Sequence, residues 1–277
     1  MIQWFPGHMT KALRQMQDEI KNIDLVLYVL DSRVPNACFN PKFAQMIGDK
    51  PIIYILNKFD LSDGEKLKGF KQKLTSNTSA CLQLDSTQSG ASKKISKLAL
   101  ELCAPKIERR KQKGLGTIIR CMVIGVPNSG KSTLVNNLCS QSRAITGNKP
   151  GVTKGKQWVR VSDCLEVLDT PGTLWPSFEN QEIANQLAFV GSISDNVVDL
   201  GELAIELLKT LCLHYPGVVE KRYAIADSCQ KEFVEVLEDI ARARHFVLRG
   251  GEIDYDRTCA AVVDDFRKGR FGKITLL

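Results

Sequence analysis

Gly125, Gly130, Lys131 and Ser132 stand in the spacing G-x-x-x-x-G-K-S, within GVPNSGKST (125–133). That spacing suits phosphate. Glycines let the backbone curl with no Cβ in the way. The N–H groups of the loop and of the helix start after it then face the anion. Asn128, Ser129, Gly130, Lys131, Ser132 and Thr133 are the expected cradle. Within it Lys131 reaches the β/γ-phosphates and Ser132 binds Mg²⁺.

The phosphate loop alone does not choose a base. NKFD (57–60) does. A carboxylate only accepts hydrogen bonds, and guanine offers two donors, N1–H and the exocyclic amine. Asp60 therefore matches guanine and is poorly matched to adenine. Asn57 is expected to support base and loop, and the Lys58 stem to pack on the ring. DTPG (169–172) adds two groups: Asp169 for Mg²⁺ through water, and the Gly172 N–H as a γ-phosphate sensor. Thr153, in PGVTKGKQW (150–158), is a candidate ligand for the same metal. In DSTQSG (85–90), Asp85 and Ser86 are placed to back the base; a strand-to-helix turn with a helix cap explains that stretch equally simply.

Strands must present these turns. IDLVLYVLD (23–31), PIIYILNK (51–58), ACLQLD (80–85), IIRCMVIG (118–125) and CLEVLD (164–169) are apolar and rich in β-branched residues. Their hydrophobicity is continuous, as for strands covered on both faces. Helical patterns lie between them at 9–21, 64–76, 91–102 and 131–139. The alternation predicts an α/β fold, doubly wound around a mostly parallel sheet. PKIERRKQKGLG (105–116) reads as a solvated connector. Beyond residue 177 the texture becomes helical, at 180–190, 196–211, 230–245 and 255–268, punctuated by HYPG and RGGE. Residues 1–177 are thus expected as one domain and 178–277 as a small all-α domain.

The order is unusual, because NKFD precedes the phosphate loop. Every motif caps the C-terminal end of a strand, where open α/β sheets bind ligands. Their convergence need not depend on where the chain is cut, and joined termini with a new cut are tolerated. The motifs therefore agree if the domain is circularly permuted, with 105–116 as the joining segment. DTPG is then the last nucleotide motif and leads directly into the helices, so a γ-phosphate contact at Gly172 is expected to shift them.

Charge divides unevenly. Residues 1–177 hold 26 Lys and Arg against 14 Asp and Glu; residues 178–277 hold 12 against 17. The basic part suits a polyanion, and equally a lysine-rich solvated surface. No apolar run approaches the roughly 20 residues of a membrane span, and the N-terminus lacks a signal-peptide pattern. The nine cysteines are scattered with no C-x-x-C pair, which predicts reduced core residues in a cytosol.

WFPGHM (4–9), LDSRVPN (30–36), NKFD, GVPNSGKST, PGVT, DTPG followed by LWP, and DFRKGRFGKITL (265–276) together resemble the ribosome biogenesis GTPase A family. The resemblance covers nearly the whole chain. It implies a circularly permuted P-loop GTPase domain, followed by a helical domain that contacts ribosomal RNA. It also implies binding of GTP and GDP, action on the immature large ribosomal subunit, release after hydrolysis, a cytoplasmic location and a monomer. With residues 178–277 net acidic, RNA contact there would need a local basic patch such as Arg267, Lys268, Arg270 and Lys273.

The resemblance also assigns catalysis. Small GTPases place a water-orienting Gln after D-x-x-G; here that residue is Thr173, too short for the task. Similarity gives the role to His8, whose neutral imidazole could orient or deprotonate the attacking water. Asn128 occupies the position that helps ligate K⁺ in potassium-dependent relatives, so K⁺ is expected beside Mg²⁺. Two rival readings stay open: a related permuted GTPase with another RNA target, and a nucleotide-gated binding module that barely hydrolyses.

Overall fold

The computed structural model describes residues 7–142, 158–175, 178 and 180–277, the side chains of His8 and of residues 140–142 excepted. Six strands form one sheet: β1 (Leu25–Asp31), β2 (Ile52–Asn57), β3 (Ser79–Gln83), β4 (Ile119–Ile124), β5 (Trp158–Ser162) and β6 (Leu165–Leu168). Their order is β3-β2-β1-β4-β6-β5. All neighbours pair in parallel except β5, which runs antiparallel to β6 at the edge.

β1 shows why its sequence is apolar throughout. Side chains alternate between the two faces of a strand. Val26, Tyr28 and Leu30 enter one core, and Leu25, Leu27 and Val29 the other. Each such aliphatic side chain contributes on the order of 1.5–3 kcal/mol when fully buried. The first face is covered by α1 (Gly7–Glu19), α2 (Pro41–Ile47) and α3 (Gly64–Lys73), and the second by α4 (Ala91–Gln112) and α5 (Lys131–Ser142). In α1 the buried positions Met9, Ala12, Leu13 and Met16 follow helical spacing. α1 begins at Gly7, so His8 lies in its first turn rather than in a loop before it.

Five helices follow: α6 (Gln181–Phe189), α7 (Leu200–His214), α8 (Val218–Tyr223), α9 (Phe233–Arg244) and α10 (Tyr255–Arg267). Their apolar residues join the first core, where Leu187, Leu207 and Phe266 share a cluster with Val26 and Leu30. The last residues cross the turns that follow β2 and β1: Ile274 N–H donates to the Leu61 carbonyl at 3.1 Å, and Leu276 N–H to the Arg33 carbonyl at 2.7 Å.

Three expectations need correction. The segment 105–116 is no connector, because α4 continues through Pro105 to Gln112. Proline removes one helical N–H, but Pro105 is exposed, so water can reach the carbonyl left without it. Arg110 then fastens the extension, with Nη1 and Nη2 each 2.9 Å from the Asp24 carboxylate. The cysteines are not all reduced: Cys212 and Cys229 form a disulfide, Cα to Cα 5.3 Å. Seven others are free, five of them buried. Finally, β5, α2 and α8 were not anticipated. Each is seven residues or shorter, too brief for periodicity to declare.

Candidate functional site

Parallel pairing sends the C-terminal ends of β1, β2, β3, β4 and β6 to one edge of the sheet. In the β1–β2 register Asp31 lies beside Asn57. NKFD, the phosphate loop, DTPG and DSTQSG all emerge there. Residue 153 lies outside the described residues.

The first two motifs touch. Asn57 is buried, and its Nδ2 donates to the Ser129 carbonyl at 2.8 Å. Its Oδ1 accepts from the Ser86 N–H at 3.0 Å and the Ser86 hydroxyl at 2.6 Å. One side chain thus braces three loops. Lys58 adopts a left-handed backbone with φ 54°. Its Nζ donates to the Asn128 carbonyl at 2.7 Å and to Asp31 Oδ2 at 2.9 Å, which stretches the stem across the edge. Asp60 is exposed in the turn that follows. Asp85 is spent locally, accepting from Thr87 N–H and Oγ1. Asn137 on α5 holds the same loop by donating to the Ser86 and Gln88 carbonyls.

The glycines are sterically required. A Cβ on Gly130 would collide with Asn57 Nδ2, and one on Gly125 with the Val29 carbonyl. On Gly172 it would lie 2.7 Å from Lys131 Nζ and 2.8 Å from Pro127 Cα, so DTPG rests directly on the phosphate loop. Lys131 is buried, and its Nζ donates to the Val126 carbonyl at 2.7 Å. Burial pushes its pKa down to about 8, with attraction to Asp169 opposing. Ser132 and Thr133 are exposed on the first turn of α5. Ser132 and Asp169 are hard oxygen donors. One hydroxyl and one carboxylate fit Mg²⁺, which completes its shell with waters and nucleotide phosphates.

Thr173 is fully buried, its N–H donating to the Gly125 carbonyl at 3.3 Å. Its hydroxyl is buried, and the side chain is too short to replace a water-orienting Gln. The expected basic patch is largely engaged. Arg267 pairs with Asp195 at 2.7 Å, Lys268 with Asp264 at 2.9 Å and Arg270 with Asp265 at 2.6 Å.

Sequence reasoning gave no role to two other groups at this edge. Asp31 is fully buried, and Arg33 grips it through Nε at 2.9 Å and Nη2 at 2.7 Å. Burial disfavours the ionised carboxyl, and the Arg33 and Lys58 charges outweigh burial, so the Asp31 pKa lies well below the carboxylate range. An acid and a base two residues apart at a strand's end were the available signal. The second group is the turn after α6. The Gly191 carbonyl accepts from Asn128 Nδ2, and Ser192 Oγ donates to the Pro127 carbonyl at 2.7 Å. No sequence motif marks it.

A family model described as "50S ribosome-binding GTPase" matches residues 120–245, from β4 through the phosphate loop and DTPG. NKFD lies before that match, as the permuted order requires. The chain is 37% identical to ribosome biogenesis GTPase A of Bacillus licheniformis over 276 residues, 99% of this chain and 97% of that one. It is 34% identical to mitochondrial ribosome-associated GTPase 1 of Mus musculus, covering 100% and 90% of the two chains. Among solved structures, GDP-bound YlqF superposes with a TM-score of 0.66 at 22% identity, over 95% of this chain and 98% of that one.

Proposed function

This chain belongs to the ribosome biogenesis GTPase A family, and from that premise we propose that it binds the immature large ribosomal subunit in its GTP state and leaves after hydrolysis. It is a GTP hydrolase of ribosome biogenesis. On this reading it acts in the cytoplasm, as a monomer. Among the described residues no helix is long and apolar enough to cross a membrane.

The observation that carries the reading is the bond from Asn57 to the Ser129 carbonyl. It ties NKFD to the phosphate loop at one edge of the sheet, which supports reading the two as parts of one guanine-nucleotide site. Asp60 reads the guanine donors, and the Lys58 stem covers the ring. Asp85 and Ser86 back the base from behind, Ser86 by holding Asn57. The loop N–H groups from Asn128 to Thr133 cradle the phosphates, and Lys131 leaves the Val126 carbonyl to reach them. Gly172 N–H meets the γ-phosphate. Ser132, Asp169 and Thr153 would hold Mg²⁺, which neutralises charge developing on the phosphates. Asn128 donates to Gly191 through Nδ2, leaving Oδ1 for K⁺.

With Thr173 buried, the attacking water needs another partner. His8, in the first turn of α1, takes that role, accepting the proton or orienting the water through its neutral imidazole. The test is GTP turnover with and without immature large subunits. The wild type should be stimulated, and His8→Ala should lose most of the stimulation. Unchanged stimulated turnover in the variant removes His8 from the mechanism; no stimulation of the wild type removes the ribosomal reading.

A further inference from the structure

Lys58 is held by two acceptors, and one of them leads away from the nucleotide edge. Asp31 lies between Lys58 and Arg33. Arg33, itself buried, continues past Asp31. Its Nη1 donates to the Phe266 carbonyl at 3.2 Å and to the Arg267 carbonyl at 2.9 Å. These are the last two carbonyls of α10; that of Phe266 also accepts from the Gly269 N–H at 3.0 Å. The guanidinium also lies over the Phe266 ring, 5.5 Å from its centroid. Arg33 is thus fixed from two sides, by a carboxylate at the end of β1 and by the C-terminal end of α10.

A second route closes the circuit. Arg267 donates through Nε to the Phe189 carbonyl at 3.1 Å and through Nη2 to the Ala188 carbonyl at 2.8 Å. It packs against Gly191, where an added Cβ would come within 3.3 Å of Nε. Gly191 holds the side chain of Asn128, whose own carbonyl holds Lys58. The chain of contacts therefore runs from Lys58 through Asp31 and Arg33 to α10, through Arg267 to Gly191, and through Asn128 back to Lys58. Every link is a hydrogen bond, an ion pair or direct packing.

We propose that Arg33 is a positioning residue of the nucleotide site: through Asp31 it sets Lys58, and through two carbonyls it makes that setting depend on where α10 ends. Arginine suits the task because its planar fork engages the carboxylate and the carbonyls together, which a lysine ammonium cannot do in the same geometry. Coupling between two sites is reciprocal. If docking of α10 favours nucleotide, nucleotide favours docking of α10 by the same factor. The inference rests on the reading of 57–60 as the guanine site.

The test measures binding of a fluorescent GDP analogue to the full chain, with amide exchange at Ile274 and Leu276, which bond to Leu61 and Arg33. Arg33→Lys should weaken GDP binding about tenfold, a usual size for such coupling. In the wild type GDP should slow exchange at both amides; in Arg33→Lys it should not. A merely structural role would speed exchange with and without GDP alike and leave affinity unchanged. Unaltered affinity in a folded variant overturns the proposal. If the variant does not fold, the wild type decides: exchange at Ile274 and Leu276 indifferent to GDP overturns it as well. A wild type that binds no GDP fails at the first step and brings down the guanine-site reading along with it.

Discussion

Asn57 and Ser129 are 72 positions apart in the chain, and the carboxamide of the first donates to the carbonyl of the second at 2.8 Å. Cutting the chain elsewhere did not separate the two motifs. Strand order and parallel pairing fix where the strand ends meet, whatever the order in which the strands are made.

That bond can be broken singly. Asn57→Ala would leave the Ser86 hydroxyl and the Ser129 carbonyl without their partner. A buried polar group left unsatisfied costs about 1–3 kcal/mol. Thermal unfolding of the nucleotide-free variant should show that loss, and GTP affinity should fall at least tenfold. Unchanged affinity would separate Asn57 from the ligand site.

Lys131 should make nucleotide binding depend on protons. Its pKa of about 8 lies below the ordinary 10.5 because burial disfavours the ammonium. Between those values the folded chain holds fewer protons on Lys131 than the unfolded chain, so this group's contribution to stability rises with pH across that window. A phosphate beside Nζ restores the charge. GDP binding should take up about half a proton at pH 8 and nearly a whole one at pH 9. Calorimetry in two buffers of different ionisation enthalpy reads this directly; buffer-independent heats would refute it.

Asn128 divides its carboxamide between the Gly191 carbonyl and the expected cation. Turnover in K⁺ should exceed turnover in Na⁺, and Asn128→Ala should erase the difference. Equal wild-type rates in the two salts would remove the cation from the mechanism.

The Cys212–Cys229 disulfide spans 17 residues between α7 and the approach to α9. Closing a loop of that size stabilises by about 3 kcal/mol. Reducing agent should therefore lower the melting temperature by several degrees, and Cys212→Ser should do the same without it. A melting temperature indifferent to both would mean that the bond adds nothing to stability.

Most of the fold could be read before the structure, for a physical reason. Strands buried on both faces leave long apolar runs, and phosphate and guanine chemistry leaves fixed spacings. What stayed hidden was whatever depends on partners distant in sequence. Asp31 and Arg33 are two positions apart and visible, yet nothing in LDSRVPN says that the arginine reaches residues 266 and 267. Gly191 gives no local sign that its carbonyl holds the phosphate loop. At residues 105–116 local composition misled, because proline and a charge run suggest slack chain; the Asp24 anchor that keeps the helix going lies 86 positions from Arg110.

That anchor turns the end of α4 into a rod with a phase. Each residue of α-helix rotates the next by about 100°. One residue inserted between Pro105 and Arg110 would swing the guanidinium off Asp24, whereas one inserted after Lys113 would leave Arg110 facing Asp24 and disturb only the turn that follows. The end of α4 is thus a spacer that counts, and lengthening it at the wrong place would cost the molecule the seam between Arg110 and Asp24.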